Sequence, residues 1–124
     1  MRVTLLFFIA VLGSCAVSPP ESGPRQAAEL SGRAPGAVQH CVLIEQTQAL
    51  RVSATDRHTL LYGDGKVIWA NRLGPSCGFS SSETLITEPI GSYYCRGDLV
   101  RSFDPLTRIR GPACVLNDFV PYAR

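Results

Sequence analysis

Four cysteines, Cys41, Cys77, Cys95 and Cys114, stand at intervals of 36, 18 and 19 residues and constrain this chain more than any other feature. Zinc sites built on cysteine place their ligands in close C-x₂₋₄-C pairs, and these intervals are far wider. His40 beside Cys41 adds nothing to a ligand set, because neighbours along a strand point to opposite faces. Once Cys15, in the N-terminal segment, is set aside from the five cysteines, the even count reads as two disulfides, with no metal and no cofactor. Four cysteines admit three pairings. The expected one is Cys77–Cys95 nested inside Cys41–Cys114, because the outer pair flanks the folded region and would tie its ends. On chain entropy the shorter loop is worth ~3 kcal/mol and the longer roughly 4.5 kcal/mol. Both are large beside a total stability on the order of 5–15 kcal/mol.

Disulfides persist in oxidising compartments, and the N-terminus supplies a route to one. Met1-Arg2-Val3-Thr4 is a short basic start, Leu5 to Leu12 is an unbroken apolar run, and Gly13, Ser14, Cys15 and Ala16 are small. That is the layout of an export signal peptide. The run falls well short of the ~20 residues that span a bilayer. Two cleavages remain open. Leu12-Gly13-Ser14-Cys15 resembles the lipobox of bacterial lipoproteins, which implies a lipid on Cys15 as the new N-terminus. Ser14-Cys15-Ala16 also fits the small-x-small rule for ordinary cleavage after Ala16. The lipobox reading places the protein in the cell envelope, attached to the outer membrane and facing the periplasm, since Ala16 rather than Asp follows Cys15. The other leaves a soluble periplasmic or secreted product.

Residues 17–37 are rich in Pro, Gly, Ser and Ala, with Pro19-Pro20, Gly23-Pro24 and Pro35-Gly36. Such a stretch reads as a flexible tether. The expected organisation is thus a signal peptide over 1–16, a linker over 17–37 and one stapled domain over 38–124.

Within that domain the pattern is of short β-strands between turns. Cys41-Val42-Leu43-Ile44 suits a buried strand, and Ala49 to Ser53 alternates as a half-buried one does. Thr59-Leu60-Leu61-Tyr62, the loop Gly63-Asp64-Gly65 and the run Lys66 to Leu73 read as a hairpin. Its second strand puts Val67, Trp69 and Leu73 on one face, with the single tryptophan in the core. Further strands are expected at Thr84–Thr87, Ser92–Cys95, Asp98–Phe103, Ala113–Leu116 and Phe119–Val120. No segment carries apolar residues at i, i+3, i+4 and i+7 over three turns. The expected fold is mainly β, a small antiparallel sandwich or barrel of about six to seven short strands, disulfide-stapled.

Charge excludes one class of partner. Residues 37–124 carry nine basic and eight acidic side chains without a block of either sign, which offers no electrostatic case for nucleic acid. No catalytic constellation is recognisable. A nucleophile needs a base within reach, and the two histidines, His40 and His58, sit in no such setting. Ser80-Ser81-Ser82 lacks the G-x-S-x-G elbow. Gly63-Asp64-Gly65 is too short to cradle phosphate or calcium. The carboxylates Glu45, Asp56, Asp64, Glu83, Glu88, Asp98, Asp104 and Asp118 include no obvious pair, although acids can converge in space as glycosidase acids do. Arg96-Gly97-Asp98 spells an integrin-type tripeptide, but Cys95 next to it pins the segment.

Taken together, Cys41, the Thr59–Trp69 hairpin, Arg72-Leu73-x-x-x-Cys77, Tyr94-Cys95-Arg96-Gly97-Asp98 and Cys114-Val115-Leu116 resemble a family of small exported proteobacterial proteins, a domain of unknown function. The likeness covers residues 41 to about 120. It implies a shared fold with two bridges and no catalytic residue. Asp98 is the polar position of note, and its expected role is to close a turn by accepting backbone N–H bonds.

The expected function is that of a lipid-anchored envelope module, monomeric and non-enzymatic, which binds an unknown protein partner or serves a structural role. An inhibitor of a hydrolase such as lysozyme is the alternative. Gly91-Ser92-Tyr93-Tyr94 only loosely echoes the S-G-x-x-Y-type loop of such inhibitors. A small hydrolase built on converging carboxylates is the third reading.

Overall fold

The structure is a computed structural model that describes residues 26–124. The expected export signal over 1–16, with Cys15, and the first part of the expected linker lie outside the described residues. The fold is mainly β and antiparallel throughout. Ten strands follow in order: β1 (Ala34–Pro35), β2 (Cys41–Leu43), β3 (Arg51–Val52), β4 (Thr59–Tyr62), β5 (Val67–Arg72), β6 (Thr84–Glu88), β7 (Tyr93–Cys95), β8 (Leu99–Phe103), β9 (Arg110–Val115) and β10 (Phe119–Ala123). They form a five-stranded sheet in the order β1-β10-β5-β4-β3, a ribbon β2-β7 and a three-stranded sheet β6-β8-β9. The arrangement is sandwich-like, with no closed barrel. Nine of the ten coincide with runs that the sequence marks as strand-like, several of them only two or three residues long, and β1 is the one that falls where no strand was expected. Two residues carry no periodicity, and pairing with the distant β10 creates β1.

The β4–β5 hairpin forms as its sequence requires. Tyr62 pairs with Trp69 and Thr59 with Arg72. Its loop is wider than three residues, since pairing with β4 begins only at Trp69, while Val67 and Ile68 pair with Ala123 and Tyr122 of β10. Gly63 turns the chain at φ +82°, a region open to glycine, and its N–H donates to Gln48 C=O at 2.7 Å.

The larger core lies between the five-stranded sheet and the two smaller ones. Leu60, Tyr62 and Phe119 meet Val42, Val100, Cys114 and Leu116, with Trp69 half-buried at its side. Tyr62 is the hub. Its ring lies 5.3 Å from that of Phe119 and 5.5 Å from that of Tyr94, centroid to centroid. Its hydroxyl reaches Thr87 Oγ1 at 3.4 Å, and burial pushes the phenol well above its ordinary pKa.

Two expectations are corrected here. First, part of the linker is folded. Ala28–Leu30 makes a 3₁₀ turn that packs Ala27 and Leu30 on the back of the five-stranded sheet, against Leu61, Ile68 and Ala70. β1 then pairs with β10. Proline and glycine keep this segment from regular structure but not from packing, and the two buried side chains cover apolar surface that water would otherwise reach. All four residues of β4 are consequently buried. Second, the cysteines pair as Cys41–Cys95 and Cys77–Cys114, interleaved and not nested. Cys41 stands directly opposite Cys95 in the β2–β7 ribbon. The ends of the domain are tied by backbone instead, through the β1–β10 ladder and the Gln39–Phe119 bridge. The loops span 54 and 37 residues, each worth about 4 kcal/mol on the chain-entropy estimate.

Candidate binding groove

The β8–β9 hairpin builds one wall of a groove among the described residues. Asp104 opens its tip as an Asx turn, with Oδ1 accepting the N–H of Leu106 at 2.9 Å and of Thr107 at 3.4 Å. Pro105 presets the next φ. Arg108, at φ +59°, completes the reversal, and its N–H donates to Asp104 C=O at 2.7 Å. The tip is therefore rigid, yet it presents Leu106 and Ile109 at 94% and 66% exposure.

The facing wall is the turn before β6. Ser80 N–H donates to Glu83 Oε2 at 2.6 Å, while Glu83 N–H donates to Ser80 C=O at 3.1 Å. The Glu83 side chain on the Ser80 N–H is one half of a capping box, but Glu83 N–H goes to the Ser80 carbonyl, and the β-rich run Thr84-Leu85-Ile86-Thr87 leads into a strand. Between the walls lies a groove of about 630 Å³ whose lining includes Ser82, Glu83, Ser102, Phe103, Asp104 and Ile109. Gly111 also lines it, and a Cβ there would displace the Ser102 hydroxyl.

The lining is amphipathic. It supplies hydroxyls and carboxylates beside an aromatic ring and an aliphatic lip. Glu83 and Asp104, far apart in sequence, come to one concavity. The N–H bonds from Leu106 and Thr107 hold the Asp104 carboxyl below its ordinary pKa, so it stays ionised at neutral pH. General-acid work on a glycoside needs the opposite shift.

The other candidate residues serve local structure. Asp98 Oδ2 accepts the Cys95 N–H at 2.8 Å and closes the turn at Gly97, so Arg96-Gly97-Asp98 is held in a tight turn. His58 Nδ1 lies 2.6 Å from Cys77 C=O. Burial opposes the charge on Asp56. The Thr59 hydroxyl, the His58 N–H and the Arg72 charge outweigh it and lower its pKa. Glu88 faces Arg101 and Arg110 at 3.3 and 3.2 Å. Gly91-Ser92 is a turn leading into β7, with Tyr94 packed on Tyr62. Glu45, Asp64 and Trp69 share a second, smaller groove beside Gln46 and Gln48.

Three features escaped sequence reading. Asp118 accepts from Arg96 Nη1 at 2.9 Å and lies 2.6 Å from His40 Nδ1, and so clamps the residues flanking the Cys41–Cys95 bridge. No nucleophile accompanies this exposed pair among its described hydrogen bonds. Asn71, fully buried, grips the backbone of Asn117 with both ends of its amide at 2.7 and 2.9 Å. Glu29 accepts from Ala54 N–H at 2.7 Å and from Ser53 Oγ at 2.8 Å, pinning the N-terminal segment. Each joins residues too distant in sequence for any local signal.

Known proteins offer no template for these features: no protein-family model, no curated protein and no solved structure matches this chain.

Proposed function

We propose that the chain is an exported cell-envelope protein, tethered through a lipid on Cys15, whose stapled β domain is a non-enzymatic binding module. The observation that carries this reading is the rigid β8–β9 tip. It holds two large apolar side chains out in water above an amphipathic groove. Exposed apolar groups beside a concave, partly polar surface are the usual composition of a recognition site. Two disulfides suit a small domain working in an oxidising compartment. The export signal and lipobox-like Leu12-Gly13-Ser14-Cys15 supply the address.

Intact mass of the protein taken from membranes tests the tether. A lipid on Cys15 supports it, and a mass matching cleavage after Ala16 overturns it. Binding is tested with the exported chain carrying Cys15→Ser, measured on isolated peptidoglycan sacculi and on lipopolysaccharide. Retention on either, weakened about tenfold or more by Ile109→Asp, is expected. Retention on neither, or turnover of either polymer, would overturn the binding reading.

A further inference from the structure

We propose that this chain self-associates by antiparallel pairing of β6 with β6 of a second copy, which joins two three-stranded sheets into one of six strands. The inference is independent of the groove.

Natural sheets guard their edges with short strands, prolines, bulges or charges. Most edges here follow that rule. β1 has two residues and contains Pro35, and β3 has two. β9 carries Pro112, and a bulge interrupts its pairing between Arg101 and Phe103. The β2–β7 ribbon has three residues a side and is closed by a disulfide. β6 is the exception among the described edges. Thr84-Leu85-Ile86-Thr87-Glu88 has five residues and no Pro, Gly, Lys or Arg.

Hydrogen-bond alternation shows which groups β6 offers. At the foot of the β8–β9 pair, Leu116 N–H donates to Asp98 C=O at 2.9 Å. Alternation then turns Val100 toward β9 and Leu99, Arg101 and Phe103 toward β6. Their partners Glu88, Ile86 and Thr84 point back at β8. The N–H and C=O groups of Leu85 and Thr87 therefore point outward, and none of the described hydrogen bonds uses them.

A two-fold axis at Ile86 satisfies all of these groups. Leu85 of each copy meets Thr87 of the other, which makes four backbone hydrogen bonds. Ile86 meets its own mate in the closer, non-hydrogen-bonded position. Thr84 falls opposite Glu88, so no like charges oppose one another. An axis at Leu85 or at Thr87 keeps the same parity but makes fewer bonds, because Glu83 N–H already donates to Ser80 C=O and Pro89 has no N–H, whereas an axis midway between two residues sets outward groups against inward ones. The strand is therefore complementary to a second copy of itself, and the bond count favours the register centred on Ile86. So short an interface belongs to the weak, concentration-dependent class.

The test uses the exported chain with Cys15→Ser and its disulfides intact, followed by sedimentation equilibrium from low micromolar to near-millimolar concentration. A reversible dimer is expected. Ile86→Lys, which sets two cations face to face, should raise its dissociation constant about tenfold or more. Thr87→Pro, which removes two of the four bonds, should do the same. Amide exchange of the native chain should slow with concentration at Leu85 and Thr87 but not at Ile86. Near-UV circular dichroism and intact mass verify that each variant remains folded. A chain that stays monomeric throughout overturns the proposal. A dimer that survives both folded variants, or one that protects other amides, overturns it equally.

Discussion

The two faces of the five-stranded sheet are buried by different means. The front meets two further sheets and is sealed by large side chains, with Tyr62, Phe119, Leu60 and Leu116 all excluded from water. The back is covered by a strap of about ten residues that contributes only Ala27 and Leu30. What the strap lacks in apolar area it recovers in polar pins. Glu29 holds the Ser53–Ala54 turn, Ala28 N–H donates to Thr55 Oγ1 at 2.9 Å, and the Arg33 guanidinium donates to the carbonyls of Gly65 and Lys66 at 3.0 and 2.9 Å. A thick interface resists by packing, whereas a thin one depends on a few directed bonds. The front should therefore respond mainly to volume and the back to both volume and charge.

The largest expected effect tests the front. Phe119→Ala should cost about 3–5 kcal/mol in urea unfolding, since the ring packs edge-on to Tyr62 and its neighbours cannot collapse into the space. Leu30→Ala on the back should cost about 2 kcal/mol, the low end for a leucine, because the strap can shift toward the sheet. Equal losses at the two sites would erase the contrast. The smallest effect is electrostatic. Burial opposes the Glu29 charge, but the Ala54 N–H, its own backbone, the Ser53 hydroxyl and Arg51 outweigh it and lower its pKa below 4.5. Because the folded value is the lower one, the bond contributes fully above that ordinary value and is lost as pH falls below it toward the folded value. Protection of the Ala54 amide, relative to its intrinsic exchange rate, should fall over that acid range, and Glu29→Gln should remove the dependence. Ala54 protection indifferent to pH and to the substitution would show that packing alone holds the strap.

Much of the fold was legible where neighbours in sequence are neighbours in space. Thr59 to Leu73 reads as a hairpin because period-two alternation and glycine both act within a few residues, and Asp98 reads as a turn-closing acid for the same reason. The strap was misread because composition reports what a segment cannot do alone. Leu30 gains a place only when Leu61, Ile68 and Ala70 present a bare sheet face to it. The groove was legible only in parts. Ser80 to Glu83 and Asp104 each look like ordinary turns, and only the β6–β8 pairing, with Thr84 opposite Phe103, brings them together.

The sequence by itself determined the β class, the principal hairpin and an even set of four cysteines, all of which follow from local periodicity, turn chemistry and counting. Tertiary structure alone decided which cysteines meet, what covers the back of the sheet and which acids share a groove. Those outcomes depend on which strands pair across long stretches of chain. When β2 is laid against β7, Cys41 faces Cys95, and Cys77 is left for Cys114.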